Sequence, residues 1–327
     1  MLSSVTAGWS SPAAVNPGGA SGTGFGDRLA AAVAARRSQV VLGLDPDPAR
    51  LWPRAVAMAD GSDGDAAQRA GRAIAAHCAL AIEATGDQCV AVKFQVACFE
   101  RLGAAGWSAL EQAVKRAHEH GLLVIADGKR GDIAVSAAAY GQAFLGETPT
   151  AFGAVPGLGA DALTVNPLLG TDSLMPLVQA ARAREAGLFV LVRTSNPGAA
   201  DVQELALADG RVVSQQLAAL VADLGAPAIG SSGLSDVGAV VGATAPGRLE
   251  ALRAAMAHAV FLLPGVGAQG GRVADLGAAF APGPAGGLIA VSRGIVAAHE
   301  RLGGDPRTRA REEAIRLREL AWALGAG

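Results

Sequence analysis

The chain has 327 residues, 51% of them apolar, and a formal net charge of −2. No basic excess points to nucleic acid or an anionic membrane as a partner, and Gly, Pro or charge interrupts every apolar run well short of a membrane span. Cys78, Cys89 and Cys98 are odd in number, lack Cys-x-x-Cys spacing and sit in apolar settings, so buried reduced thiols are expected, which suits the cytoplasm.

Residues 1–24 are rich in Ser, Gly, Ala and Pro and uncharged, which denies them the basic region of a signal peptide; they read as a flexible tail. Residues 25–327 read as one domain. Eight short apolar runs follow, near Val40–Leu44, Cys89–Val92, Leu122–Ala126, Ala162–Val165, Leu188–Val192, Ala239–Gly242, Val260–Leu263 and Leu288–Val291. Ala-rich helices are expected at Phe25–Arg37, Ala66–Ala84, Ala109–Glu119, Ser173–Glu185, Ser214–Leu224, Gly247–His258 and Arg307–Ala323. Surface loops are expected at Gly61–Asp65 and Gly146–Gly159.

Eight strand-like runs alternating with helices match a TIM (β/α)8 barrel. An open doubly wound sheet is the alternative, but it normally carries a Gly-rich phosphate loop after its first strand, and here that strand ends in Leu44-Asp45-Pro46. The Gly-rich segment Gly265–Gly271 instead follows the seventh run and Arg293-Gly294 the eighth, where TIM barrels bind phosphate.

The densest chemistry lies in Asp127-Gly128-Lys129-Arg130-Gly131-Asp132-Ile133, at the end of the third run. The two-residue period of a strand puts Asp127 and Lys129 on one face, with Asp132 in the following turn. The chain has only three lysines, Lys93, Lys115 and Lys129, against many arginines, and Lys93 also ends an apolar run. A lone Asp-x-Lys is most simply a structural ion pair. Four charges converging from two strand ends are tolerated mainly at functional sites.

Asp127-x-Lys129-x-x-Asp132-Ile133, with Lys93 in Val92-Lys93-Phe94-Gln95, resembles the Lys-Asp-Lys-Asp signature of the orotidine 5'-phosphate decarboxylase family. Leu42-Gly43-Leu44-Asp45-Pro46, Val165-Asn166-Pro167, Val192–Gly198, Val240–Thr244, Pro264–Gly271 and Ser292-Arg293-Gly294-Ile295 extend the likeness over residues 25–302. The Pro-Gly-x-Gly-Ala-Gln-Gly-Gly form is similar to the longer-chain bacterial subgroup. Ala134 stands where that family commonly has glycine, and Ser136 where it has threonine.

The resemblance implies decarboxylation of orotidine 5'-phosphate to uridine 5'-phosphate, the last step of de novo pyrimidine nucleotide synthesis, with no cofactor and no metal. It implies that Lys129 protonates the C6 carbanion, that Asp127 and Asp132 hold the lysine near the substrate carboxylate, and that Lys93 bridges the carboxylates and the ribose. It also implies ribose contact by Asp45, base recognition by Ser195, and substrate contact by Pro264, Gln269, Arg293 and Gly294, with Gln269 in reach of phosphate and base and Arg293 clamping the phosphate. Asp132, Ile133 and Ser136 would reach into a partner's site across a homodimer. Two other readings stay open: a related metal-dependent barrel acting on a sugar phosphate, and a non-catalytic phosphonucleotide-binding barrel.

Overall fold

The computed structural model describes residues 24–61, 63–267 and 269–325; the expected tail lies outside them except for Gly24. Eight parallel strands close into a barrel: β1 (Val40–Leu44), β2 (Ala91–Gln95), β3 (Leu123–Arg130), β4 (Ala162–Val165), β5 (Gly187–Arg193), β6 (Val237–Val241), β7 (Phe261–Pro264) and β8 (Gly287–Val291). Each strand pairs with its sequence neighbours, and β1 pairs with β8 to close the ring. Strands covered on both faces carry unbroken apolar runs, which is why all eight were visible in the sequence. The bounds of Val40–Leu44 and Ala162–Val165 are those expected, and the other six differ by up to four residues at one end or both.

The core has two compartments. Alternate side chains, among them Val41, Ile125, Phe189, Val240 and Leu262, fill the barrel interior, while the others pack outward against the helices. Helix α1 (Phe25–Arg36) closes the N-terminal end of the barrel, with Phe25 edge-on to Phe189 at a centroid distance of 6.0 Å. Gly187 is needed there, because a Cβ at that position would lie 2.3 Å from the Phe25 ring.

Further helices cover the outside: α2 (Ala66–Thr85), α3 (Ala104–Glu119), α4 (Ala134–Phe144), α5 (Thr171–Arg182), α6 (Val213–Gly225), α7 (Leu249–Ala255) and α8 (Pro306–Gly325). Helix α4 was not expected, because its sequence AVSAAAYGQAF is almost uniformly apolar and small and shows no clear polar face. Segment Gly146–Gly159, expected as loop, contains an exposed antiparallel hairpin, Glu147–Thr150 with Gly153–Pro156. With both faces in solvent it lacks the alternation that betrays a half-buried strand.

Among the described residues no α-helix lies between β7 and β8, and three short 3-10 turns occupy the connection. Arg253 of α7 holds that region. Its buried guanidinium donates to the carbonyls of Met256, Ala259, Ala279 and Gly286 at 2.7–2.9 Å and lies 3.6 Å from the Phe261 ring centroid. One cation here satisfies four backbone acceptors, two of which, Ala279 and Gly286, lie in the connection itself.

Cys78 and Cys89 are buried and unpaired, while Cys98 is half-buried. Burial pushes the Cys89 thiol up to about 12. Among the described residues, no helix is long and apolar enough to cross a membrane.

Candidate active site

The charged residues meet where β1, β2 and β3 end. Lys93 projects from β2, in register with Ile125 of β3, so that Gln95 lies beside Asp127. Lys93 Nζ donates to Asp127 Oδ2 at 2.7 Å and lies 3.8 Å from Asp45 Oδ1 of the β1 loop. Lys129 Nζ donates to the other oxygen, Asp127 Oδ1, at 2.6 Å. Gln95 Nε2 adds a weaker contact to Oδ2 at 3.3 Å.

Asp127 was expected at or just past the strand end, but β3 continues to Arg130 through an irregularity. Ala126 pairs with Leu163 and Arg130 with Val165, so four steps along β3 oppose two along β4. Within this bulge Lys129 takes a left-handed backbone conformation, φ 47°, one of four non-glycine positive-φ residues among those described. Such conformations are costly for a side chain with a Cβ and persist where surrounding contacts enforce them. The Lys129 N–H donates to Thr164 Oγ1 at 2.9 Å.

Lys93 and Asp127 are both buried, and desolvation alone would neutralise them. Burial raises the Asp127 carboxyl, but the Lys93 and Lys129 ammonium groups outweigh it and hold Asp127 well below the usual carboxylate range. Burial likewise pulls Lys93 down, and Asp127 with Asp45 overcomes this and leaves it raised. The cluster therefore stays charged out of water, with the half-exposed Lys129 ammonium at its mouth.

A cavity of about 380 Å³ opens above the cluster. Asp45, Lys93, Asp127 and Lys129 line one side; Ser195, Pro264, Gln269, Arg293 and Gly294 line the other. Ser195 is placed by its surroundings: Thr244 Oγ1 donates to its carbonyl at 3.1 Å, and the Arg193–Glu204 pair braces the preceding turn at 2.8 Å. Gly242 lets the chains approach, since a Cβ there would lie 2.7 Å from Ser195 Cα.

The Gly-rich segment folds back on itself. The Gly271 N–H donates to Gly265 O at 3.0 Å and the Gly267 N–H to Gly271 O at 2.9 Å. Opposite it, Arg293 opens the short helix Arg293–Val296 after β8, is exposed, and has no ion pair among the described residues. A guanidinium beside a glycine loop is suited to a bidentate contact with phosphate.

Three expected site residues are not brought to this cavity. Asp132, Ile133 and Ser136 do not line it; the Asp132 carboxylate accepts from the Ile133 N–H at 2.8 Å, and Ile133 and Ser136 are exposed. Conversely, Thr164 and Gln95 contact Asp127 although neither was expected to. Gln95 lay within the quoted run Val92–Gln95 two residues beyond Lys93, a spacing that signals a shared strand face.

Comparison with known proteins agrees with this fold. Residues 38–310 match the orotidine 5'-phosphate decarboxylase / HUMPS family. The chain is 42% identical over 280 residues to an orotidine 5'-phosphate decarboxylase of Rhodopirellula baltica, covering 85% of this chain and 89% of that one. It is 45% identical over 246 residues to the Deinococcus radiodurans enzyme of the same name, covering 75% and 84%. A crystal structure of a candidate orotidine 5'-phosphate decarboxylase from Streptomyces avermitilis superposes with a TM-score of 0.73 at 36% identity, covering 94% of this chain and 98% of the other.

Proposed function

The chain belongs to the orotidine 5'-phosphate decarboxylase / HUMPS family and acts as a carboxy-lyase, and on that premise we propose that it converts orotidine 5'-phosphate to uridine 5'-phosphate with Lys129 delivering the proton to C6. The family spans more than one chemistry, and the relatives at 42% and 45% identity bear the decarboxylase name. The observation that carries the mechanism is the shared carboxylate: Asp127 holds Lys93 on one oxygen and Lys129 on the other.

Loss of carbon dioxide from C6 leaves negative charge in the ring plane, where no adjacent carbonyl can delocalise it as an enolate. An ammonium already fixed at that point stabilises the developing charge without reorganising, and then supplies the proton. Lys129, at the cavity mouth and anchored by Asp127, fits that task. Lys93 keeps Asp127 and Asp45 from repelling one another and is within reach of a ribose hydroxyl. Ser195 reads the pyrimidine amide, and Arg293 with the Gly-rich loop takes the phosphate. Phosphate is remote from C6, so its binding energy aids the chemistry by assembling the site around the reacting ring.

The complete site is a dimer's. Asp132, Ile133 and Ser136 reach the partner's cavity in this reading, and the partner's Asp132 completes the tetrad here. Supporting this, Ile133 (57% exposed) and Val135 (71%) present apolar surface beside Leu168 (78%), and the two segments adjoin through the Asn166 N–H to Arg130 O bond of 2.8 Å.

The test is to follow ultraviolet absorbance of orotidine 5'-phosphate with the protein and EDTA. Turnover unaffected by the chelator supports the proposal. Absence of turnover refutes it, and chelator-sensitive turnover of a sugar phosphate instead would favour the related metal-dependent chemistry.

A further inference from the structure

Thr164 belongs to β4, is 0% exposed, and is the single polar side chain in the strand Ala162-Leu163-Thr164-Val165. Its hydroxyl donates to Asp127 Oδ1 at 2.8 Å and accepts the Lys129 backbone N–H at 2.9 Å. Lys129 Nζ returns to the same Asp127 oxygen at 2.6 Å. The three groups thus form a closed ring in which one hydroxyl holds the carboxylate that anchors the ammonium and also the backbone from which that ammonium projects.

We propose that Thr164 is a positioning residue for the reaction, fixing Lys129 through its left-handed backbone and orienting Asp127 between the two lysines. Thr164 does not line the cavity and so acts only through these neighbours. A hydroxyl suits this place because it donates and accepts at once. An apolar side chain of the same shape would leave the Lys129 N–H without its partner and remove a donor from a buried carboxylate that keeps two lysines in register. Freed of that tether, the bulge could relax the φ of 47° and shift the ammonium relative to C6. Supporting contacts of this kind typically change rates by about 10–100-fold.

This inference rests on the decarboxylase reading, and wild-type turnover is measured alongside to separate the two. Thr164→Val, which keeps the shape, is expected to lower kcat about 10–100-fold with KM changed less than about threefold. Thr164→Ser is expected to stay within about fivefold of wild type, because the hydroxyl remains. If Thr164→Val does not fold, Thr164→Ser and Thr164→Ala decide, since they differ chiefly by the hydroxyl: Ser should retain the kcat that Ala loses. Equal kcat for Ser and Ala, or a folded Thr164→Val with wild-type kcat, overturns the proposal while leaving the decarboxylase reading intact. Failure of the wild type to turn over would strike that reading instead.

Discussion

Lys93 and Lys129, on neighbouring strands, hold opposite oxygens of one carboxylate, at 2.7 and 2.6 Å. The two lysines are not equivalent. Lys93 is buried beneath the carboxylate, whereas Lys129 is half exposed at the cavity. Removing the outer one leaves Asp127 still paired by Lys93 and Thr164, so the carboxylate keeps its place while the cavity loses its half-exposed ammonium.

Lys129→Ala should therefore lower decarboxylation at least about a thousandfold, the combined scale of proton transfer and electrostatic stabilisation. Binding of uridine 5'-phosphate should change far less, because the ammonium acts mainly as charge develops. Absorbance kinetics and calorimetry separate the two effects. Turnover within tenfold of wild type would rule out Lys129 as the proton donor.

Sharing of the site can be read from subunit mixing. When inactive Lys129→Ala and Asp132→Ala proteins are dissociated and reassociated, about half the dimers become hybrids, and each hybrid gathers both defects into one site and leaves the other whole. Roughly a quarter of wild-type activity should return under two-fold symmetry. If native mass spectrometry shows hybrids and activity stays absent, Asp132 serves its own chain.

His77 sets an acid limit on stability. It is buried on α2, its Nδ1 accepts the Trp52 N–H at 3.1 Å, and burial, with His299 nearby, brings it down to about 4 from an ordinary 6.5. Below pH 6.5 the unfolded chain binds a proton that the folded chain refuses, so the stabilisation present above 6.5 is lost as pH falls toward 4, up to about 3 kcal/mol. His77→Asn keeps an acceptor for Trp52 without the titration. Urea unfolding between pH 7 and 4 should show a shallower loss for the variant, and parallel curves would remove His77 from the account.

Arg253 is held by carbonyls and has no carboxylate partner among the described residues. Arg253→Met would strand four buried carbonyls and should destabilise the protein by about 3–5 kcal/mol, measured by urea denaturation. A loss below about 1 kcal/mol would mean that water replaces the guanidinium.

The barrel was legible because each strand is buried on both faces and announces itself as an apolar run. Lys93 and Lys129 stood out by scarcity, and Asp127 by its place after such a run. Thr164 was hidden: a threonine in a β-rich run is an ordinary strand residue until β3 and β4 are known to be neighbours. Asp132 lies three positions after Lys129 and does not line the same chain's cavity, as the expectation of a site shared with a partner requires. Arg253 gave no sign either, because its partners are carbonyls, and backbone acceptors carry no sequence signature.

The irregularity in β3 adds two residues against β4, and two is the period of the pleat. The surplus is even, so the inward and outward sense of the strand is the same after the interruption as before it. Parity therefore constrains how this stretch can change in length. Only the Arg130–Val165 pairing lies beyond the irregularity, so a lone insertion or deletion between Ala126 and Arg130 would turn Arg130 to the other face of the strand, whereas a pair would merely lengthen or shorten the hook that carries Lys129.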